Sequence, residues 1–155
     1  MSKTNKYGQQ EVNKFANPDN WEIWDAPEGF EVIYQTFPEF TCLCPRSSYP
    51  DFATIHLITI PYKKVIELKC LKLWLNSYRD KGISHENATY EIIETLGKKL
   101  NLLYGFILME YTARGNLHTI PMREYKSNID DFSTIISEAI KVKDLVIKKV
   151  INRIK

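Results

Sequence analysis

The segment Phe52 to Ile60, FATIHLITI, constrains the fold more than any other stretch of this chain. Pro50 precedes it, Pro61 ends it, and its β-branched side chains favour a strand. Successive side chains of a strand point to opposite faces. Phe52, Thr54, His56, Ile58 and Ile60 therefore alternate with Ala53, Ile55, Leu57 and Thr59. Both sets are apolar enough that both faces are at least half buried. His56 reads as a strand residue with a local hydrogen-bond partner. A helix is predicted next, over roughly Leu68 to Tyr78, because Leu68, Leu71, Leu75 and Tyr78 recur at three- and four-residue spacing. Ser84 is the N-cap of a second helix, with Ala88, Ile92 and Leu96 on one side.

Three further segments favour strands: Phe30 to Phe37, Leu102 to Tyr111 and Leu117 to Met122. The last two are joined across Thr112-Ala113-Arg114-Gly115-Asn116, a hairpin connection containing Gly. Residues 130 to 155 carry a long helical pattern in which Ile135, Ala139, Val142, Val146 and Val150 share one stripe, expected to pack on the body or on another subunit. The order strand, strand, helix, helix, strand, strand, helix defines an α+β fold. Its antiparallel four-stranded sheet carries a helical pair on one face, with a C-terminal helix in addition. Three regions follow: a polar N-terminal arm (1–29) pinned by Trp21 and Trp24, a central domain (30–125), and a C-terminal helical extension (126–155).

At 155 residues and 44% hydrophobic, the chain is one domain's worth and can fill a core. Its 21 basic and 19 acidic residues leave a net charge of +2, too balanced to announce nucleic acid or a membrane as partner. The longest apolar runs are too short to span a bilayer, and the first residues lack the apolar core of a signal peptide. Three cysteines suit a reducing compartment, so a cytoplasmic protein is expected. Cys42, Cys44, Cys70 and three scattered histidines form no metal-binding spacing.

The chemistry concentrates between Pro38 and Glu86. Pro38, Pro45 and Pro50 stiffen the segment that carries Cys44 and, seven residues later, Asp51. A thiolate is a strong nucleophile, yet no histidine lies near in sequence, as an amide-cleaving cysteine enzyme usually requires. A cysteine paired with an acid suits an addition in which a proton is delivered to a developing nitrogen anion. A nitrile or imine carbon is thus a better electrophile here than a peptide. Lys69 and Lys72 share a face near the first helix's start and, with Arg114, point to a phosphate-bearing ligand. His85 and Glu86 occupy the first turn of the second helix, and a carboxylate such as Glu86 can accept two hydrogen bonds from an amidine-like edge of the kind guanine presents.

The succession PEFTCLCP, PDFATI, ELKCLKLW and HE resembles the NADPH-dependent 7-cyano-7-deazaguanine reductase family, QueF, in its short unimodal type, over about residues 30 to 125. The family's Glu-Ser-Lys-Ser/Ala-apolar-Lys-Leu/Tyr-aromatic signature reads here Glu67-Leu68-Lys69-Cys70-Leu71-Lys72-Leu73-Trp74. The resemblance implies a tunnelling fold (T-fold) related to GTP cyclohydrolase I, without its zinc. It also implies a homo-oligomer of stacked pentameric rings, a decamer, with ligand sites between subunits. By the same resemblance Cys44 forms a thioimide with the nitrile and Asp51 shuttles protons. Ile66, Glu67, Leu68, His85 and Glu86 bind the deazaguanine, while Lys69, Lys72, Arg114 and Gly115 bind NADPH. The implied product is 7-aminomethyl-7-deazaguanine, on the route to queuosine in tRNA, with no direct nucleic-acid or membrane contact. Leu68 departs from the usual Ser, and Ala113-Arg114-Gly115-Asn116 from the usual Pro-Arg-Gly-Gly. Two other readings remain at this stage: an amidine-forming transferase acting on deazaguanine in tRNA, and a non-catalytic ring-forming purine-binding module.

Overall fold

The computed structural model describes residues 9–128 and 132–154. The first eight residues of the arm, and residues 129–131 and 155 of the C-terminal extension, lie outside the described residues. Its elements in chain order are α1 (Gln9–Phe15), β1 (Ile23–Asp25), β2 (Ile33–Leu43), β3 (Pro50–Ile60), β4 (Lys64–Ile66), α2 (Leu68–Asn76), α3 (His85–Leu100), β5 (Tyr104–Tyr111), β6 (Met122–Lys126) and α4 (Ser133–Ile154). A four-stranded antiparallel sheet in the order β2-β3-β5-β6 carries the fold.

The FATIHLITI segment is an inner strand, as its alternation requires. Ile55 and Leu57, opposite Met109 and Ile107, face a core shared with Leu71 and Leu75 of α2 and Ile92, Ile93 and Leu96 of α3. Ile58 and Ile60 turn the other way and join Phe106 and Leu108 under α4, which contributes Ala139, Val146 and Val150. The helical pair thus covers one face and the C-terminal helix the opposite one. Each fully buried aliphatic side chain removes apolar surface from water worth about 1.5–3 kcal/mol. Ile151 and Ile154, at the C-terminal end of α4 and off that stripe, stay exposed.

Several boundaries, and one anchor of the arm, differ from the sequence expectation. β2 does not stop at Phe37; it runs on through Pro38 to Leu43 and absorbs the proline in a register shift between Phe37 and Phe40. An edge strand tolerates Pro at such a bulge, because no neighbour requires its missing N–H. β6 begins where Leu117 to Met122 was expected to end. The preceding loop still follows β5 loosely, Tyr111 N–H donating to Thr119 O (3.2 Å) and Met109 N–H to Pro121 O (3.1 Å). The first helix is shorter than expected, continuing beyond Asn76 as a tighter turn over Ser77–Asp80, and Leu68 points to solvent rather than along the buried stripe of Leu71 and Leu75. In the arm, Trp21 is buried edge-on against Trp74 at 4.7 Å, but Trp24 is exposed. The second anchor is instead backbone pairing, β1 against β4 with Trp24 opposite Val65.

Candidate active site

Cys44 sits at the tip of the β2–β3 hairpin. Its N–H donates to Tyr49 O (2.8 Å) and its carbonyl accepts from Ser48 N–H (2.9 Å), while Ser48 takes a left-handed φ of 57° to close the loop. The Cys44 thiol is lowered below its ordinary range by hydrogen bonds from the Ser47 hydroxyl and from the backbone N–H groups of Ser47 and Arg46. The nearby Asp51 charge and partial burial work against that lowering. Cys42, two residues back, is fully buried; burial pushes its thiol up to about 11. Of the two thiols, only Cys44 is shifted toward the thiolate form.

Asp51 pairs with Cys42 across the hairpin and is 4% exposed. Two strands of backbone geometry deliver partners to it. Leu43 N–H donates to Lys81 O (2.9 Å) and Ile83 N–H to Leu43 O (3.0 Å), so the segment before α3 is laced to the hairpin base. Ser84 caps α3 by accepting from Asn87 N–H (3.2 Å), which fixes His85 in the first helical turn. His85 Nε2 then lies 3.3 Å from Asp51 Oδ2. On the other side Thr112 N–H donates to Phe52 O (2.8 Å), and β5 continues into a two-residue turn closed by reciprocal Arg114–Leu117 backbone bonds of 3.0 and 2.9 Å. Gly115 and Asn116 both have positive φ, 54° and 64°, the geometry of a type I′ turn. Asn occupies the left-handed region more readily than most residues, so the Asn116 departure keeps the loop shape. The turn places Arg114 Nη1 2.5 Å from Asp51 Oδ1.

Beneath this cluster lies Tyr111, which the sequence reading did not single out. Its ring stacks flat on His85, centroids 3.6 Å apart and 13° from parallel, and its hydroxyl is 4.0 Å from Cys42 Sγ. Burial raises the Tyr111 hydroxyl far above its usual range, so it stays protonated and neutral. Nothing in the local sequence marks it out, since its partners are 26 and 69 positions away. Glu86 is exposed in the same turn as His85.

The remaining candidates form a second group. Glu67 is the N-cap of α2, its carboxylate lowered by backbone N–H groups of Lys69 and Cys70, the latter at 2.9 Å. Ile66, Glu67 and Leu68 line a groove with Ile33, Gln35 and Thr59, whereas Asp51 lies eight residues from Thr59 along β3, roughly 26 Å away at the usual strand rise. Leu68 and Lys72 also border an apolar cavity of about 330 Å³ with Phe37, Ile55 and Leu57. Lys69 and Lys72 are exposed. A single chain therefore brings Cys44, Asp51, His85, Glu86 and Arg114 to one end of the sheet, and leaves Ile66, Glu67, Leu68, Lys69 and Lys72 nearer the other.

An antiparallel sheet backed by a helical pair, with a tuned thiol and a buried acid at a hairpin end, defines a T-fold protein equipped for nucleophilic addition. A solved structure of the same architecture, the archaeosine synthase QueF-Like in its apo form, superposes with a TM-score of 0.56 over 66% of this chain and 98% of that one, at 18% identity, a likeness of fold. The family model described as QueF-like protein matches residues 50–130. Proteins named NADPH-dependent 7-cyano-7-deazaguanine reductase are similar over most of their own length. That of Aquifex aeolicus is 49% identical over 77% of this chain and 91% of its own, and that of Sulfurimonas denitrificans 47% over 74% and 93%. That of Wolinella succinogenes is 44% identical over 79% and 99%. The chain belongs to the QueF-like family.

Proposed function

We propose that this protein is an NADPH-dependent 7-cyano-7-deazaguanine reductase, converting the nitrile to the aminomethyl group in queuosine biosynthesis. The observation that carries the reading is the lowered Cys44 thiol at a hairpin tip whose neighbouring carboxylate, Asp51, is buried and contacted by His85. The names of relatives at 44–49% identity support it.

Cys44 Sγ attacks the nitrile carbon, forming a C–S bond as the nitrogen takes a proton from Asp51; the product is a thioimide. NADPH, when bound, supplies hydride to the former nitrile carbon, twice per turnover. Between the two, the C–S bond breaks and Cys44 leaves as thiolate, giving an imine. Each reduction needs a proton at nitrogen, which Asp51 hands on with His85 beside it. Glu86 accepts hydrogen bonds from the amidine edge of the base. Ile66, Glu67 and Leu68 complete its pocket; with Leu68 for Ser, that contact is made by backbone. The exposed Lys72 borders an apolar cavity and Lys69 is exposed near it on α2, a setting that suits a dinucleotide joining phosphates to flat rings; Arg114 and Gly115 would also hold the cofactor.

The two residue groups lie too far apart in one chain to meet on one purine, so we assign the complete site to a homo-oligomer. Both sheet edges, β2 and β6, lack a strand partner among the described residues and are suited to pairing between copies. Stacked pentameric rings fit this requirement. Cys42, Cys44 and Cys70 are free thiols, which suits the cytoplasm.

Mixing the protein with 7-cyano-7-deazaguanine is expected to produce a thioimide absorbance band that is absent in Cys44→Ala. A folded wild-type protein that binds the nitrile without that band would contradict the proposal.

A further inference from the structure

The groove that holds Ile66, Glu67 and Leu68 has one wall outside the family motifs, Trp24 of β1. β1 pairs with β4 so that Trp24 lies opposite Val65 and shares its face, while Ile23 and Ile66 pack on the core. The indole is 54% exposed, yet it is held in place: its Nε1–H donates to Glu22 Oε1 (2.9 Å). Glu22 is in turn laced to the start of α2. Its carbonyl accepts from Glu67 N–H (3.0 Å), and its own N–H donates to Cys70 Sγ (3.4 Å). An exposed aromatic face is thereby set in register with the Glu67 carboxylate, both lining a cavity of about 340 Å³, a size that suits a small molecule.

We propose that Trp24 is the stacking platform for the deazaguanine ring, which lies on the indole with an N–H edge turned to Glu67. The inference rests on the reductase reading above and adds a substrate-binding residue from the N-terminal arm. Charge favours this occupant over a nucleotide. Glu31 and Glu67 line the cavity, Glu22 stands at the indole, and the lysine that lines it, Lys64, is paired with Asp25 at 2.7 Å. Such surroundings repel phosphate and accept a flat, uncharged ring that carries N–H donors. A ring of that kind gains by stacking on an aromatic face, whichever base it is, and the carboxylate supplies the selectivity. Leu68 borders both this groove and the apolar cavity assigned to the dinucleotide, so base and cofactor are neighbours, as hydride transfer requires. A second copy of the chain brings its Cys44 hairpin to the nitrile.

The test is binding of 7-cyano-7-deazaguanine to the whole protein carrying Cys44→Ala, which stops the covalent step, with affinity measured by calorimetry. Adding Trp24→Ala is expected to weaken binding about tenfold, the loss of one base–aromatic stack. Trp24→Phe, which keeps a flat ring, is expected to stay within about threefold. Intrinsic fluorescence gives a readout that a merely structural role would not move. Trp21 and Trp74 are buried against each other, so quenching by the nitrile is expected to come from Trp24 and to disappear in Trp24→Phe. That second readout serves if the Ala variant does not fold. Unchanged affinity in Trp24→Ala, or quenching that persists in Trp24→Phe, overturns the platform while leaving the reductase reading intact. Weaker NADP+ binding with unchanged nitrile affinity does the same and gives the groove to the cofactor. Failure of both wild type and Cys44→Ala to bind the nitrile overturns the reductase reading, and the platform with it.

Discussion

Two cysteines two positions apart carry opposite tuning, and the cause is local. Cys42 is on a strand, fully buried, and its thiol is pushed up to about 11 by the absence of water. Cys44 has left the ladder at the hairpin tip, where the Ser47 hydroxyl and two backbone N–H groups stabilise its thiolate. Iodoacetamide at pH 7.5 is therefore expected to label Cys44 and spare Cys42 and Cys70, which are both buried, with peptide mass mapping as the readout. Labelling of Cys42 ahead of Cys44 would contradict the assignment of the nucleophile. Of the residues around the thiol, Cys44, Asp51 and His85 were legible from residue type and motif order. The contacts of Asp51 with Arg114 and His85 were not, being 63 and 34 positions apart in the chain. Tyr111 carried no signal because a buried strand tyrosine reads as core, and only its stack on His85 gives it a further role.

At the level of elements, the helical pair and the inner strands follow from apolar periodicity, and Ser84 caps α3 as its side chain demands. The edges were harder to read, for a physical reason. Edge strands bury little, so their sequences need not alternate; β6 reads MREYK and β2 tolerates Pro38. The three-residue β1 and β4 are too short for any period to show. One close approach fixes how α3 lies across β6: Gly97 faces the ring of Tyr125, and a methyl group there would overlap it. Gly97→Ala is expected to destabilise the protein by about 1–3 kcal/mol through overpacking, measured by denaturant unfolding. An unchanged unfolding midpoint would show that Tyr125 swings aside freely and that α3 is not seated by this contact.

On the scale of the whole molecule, α4 gives the sheet a second covered face, and a buried histidine lies under its C-terminal end. His56 Nδ1 shares a hydrogen bond of 2.8 Å with the Tyr34 hydroxyl, while its Nε2 is buried 3.9 Å from Glu110, which Arg153 of α4 holds at 3.0 Å. Burial lowers His56, with the Arg153 and Lys149 charges adding to it and Glu110 opposing. A histidine depressed in the folded state contributes stability above its ordinary pKa near 6.5. That contribution is lost as pH falls toward the folded value, because the unfolded chain takes up a proton the folded one refuses. Between pH 7.5 and 5.5 the melting temperature is expected to fall more steeply for wild type than for His56→Gln. Parallel curves would show that His56 is not what couples stability to pH in that window.

The central claim is that the Cys44 end of the sheet performs a four-electron reduction, and the electron count tests it most directly. NADPH oxidation is to be followed at its absorbance band with and without 7-cyano-7-deazaguanine, and the amine product quantified. Oxidation is expected only when the nitrile is present, with about two NADPH consumed per 7-aminomethyl-7-deazaguanine formed, and none by Cys44→Ala. A folded oligomer that forms the thioimide but oxidises no NADPH would contradict it.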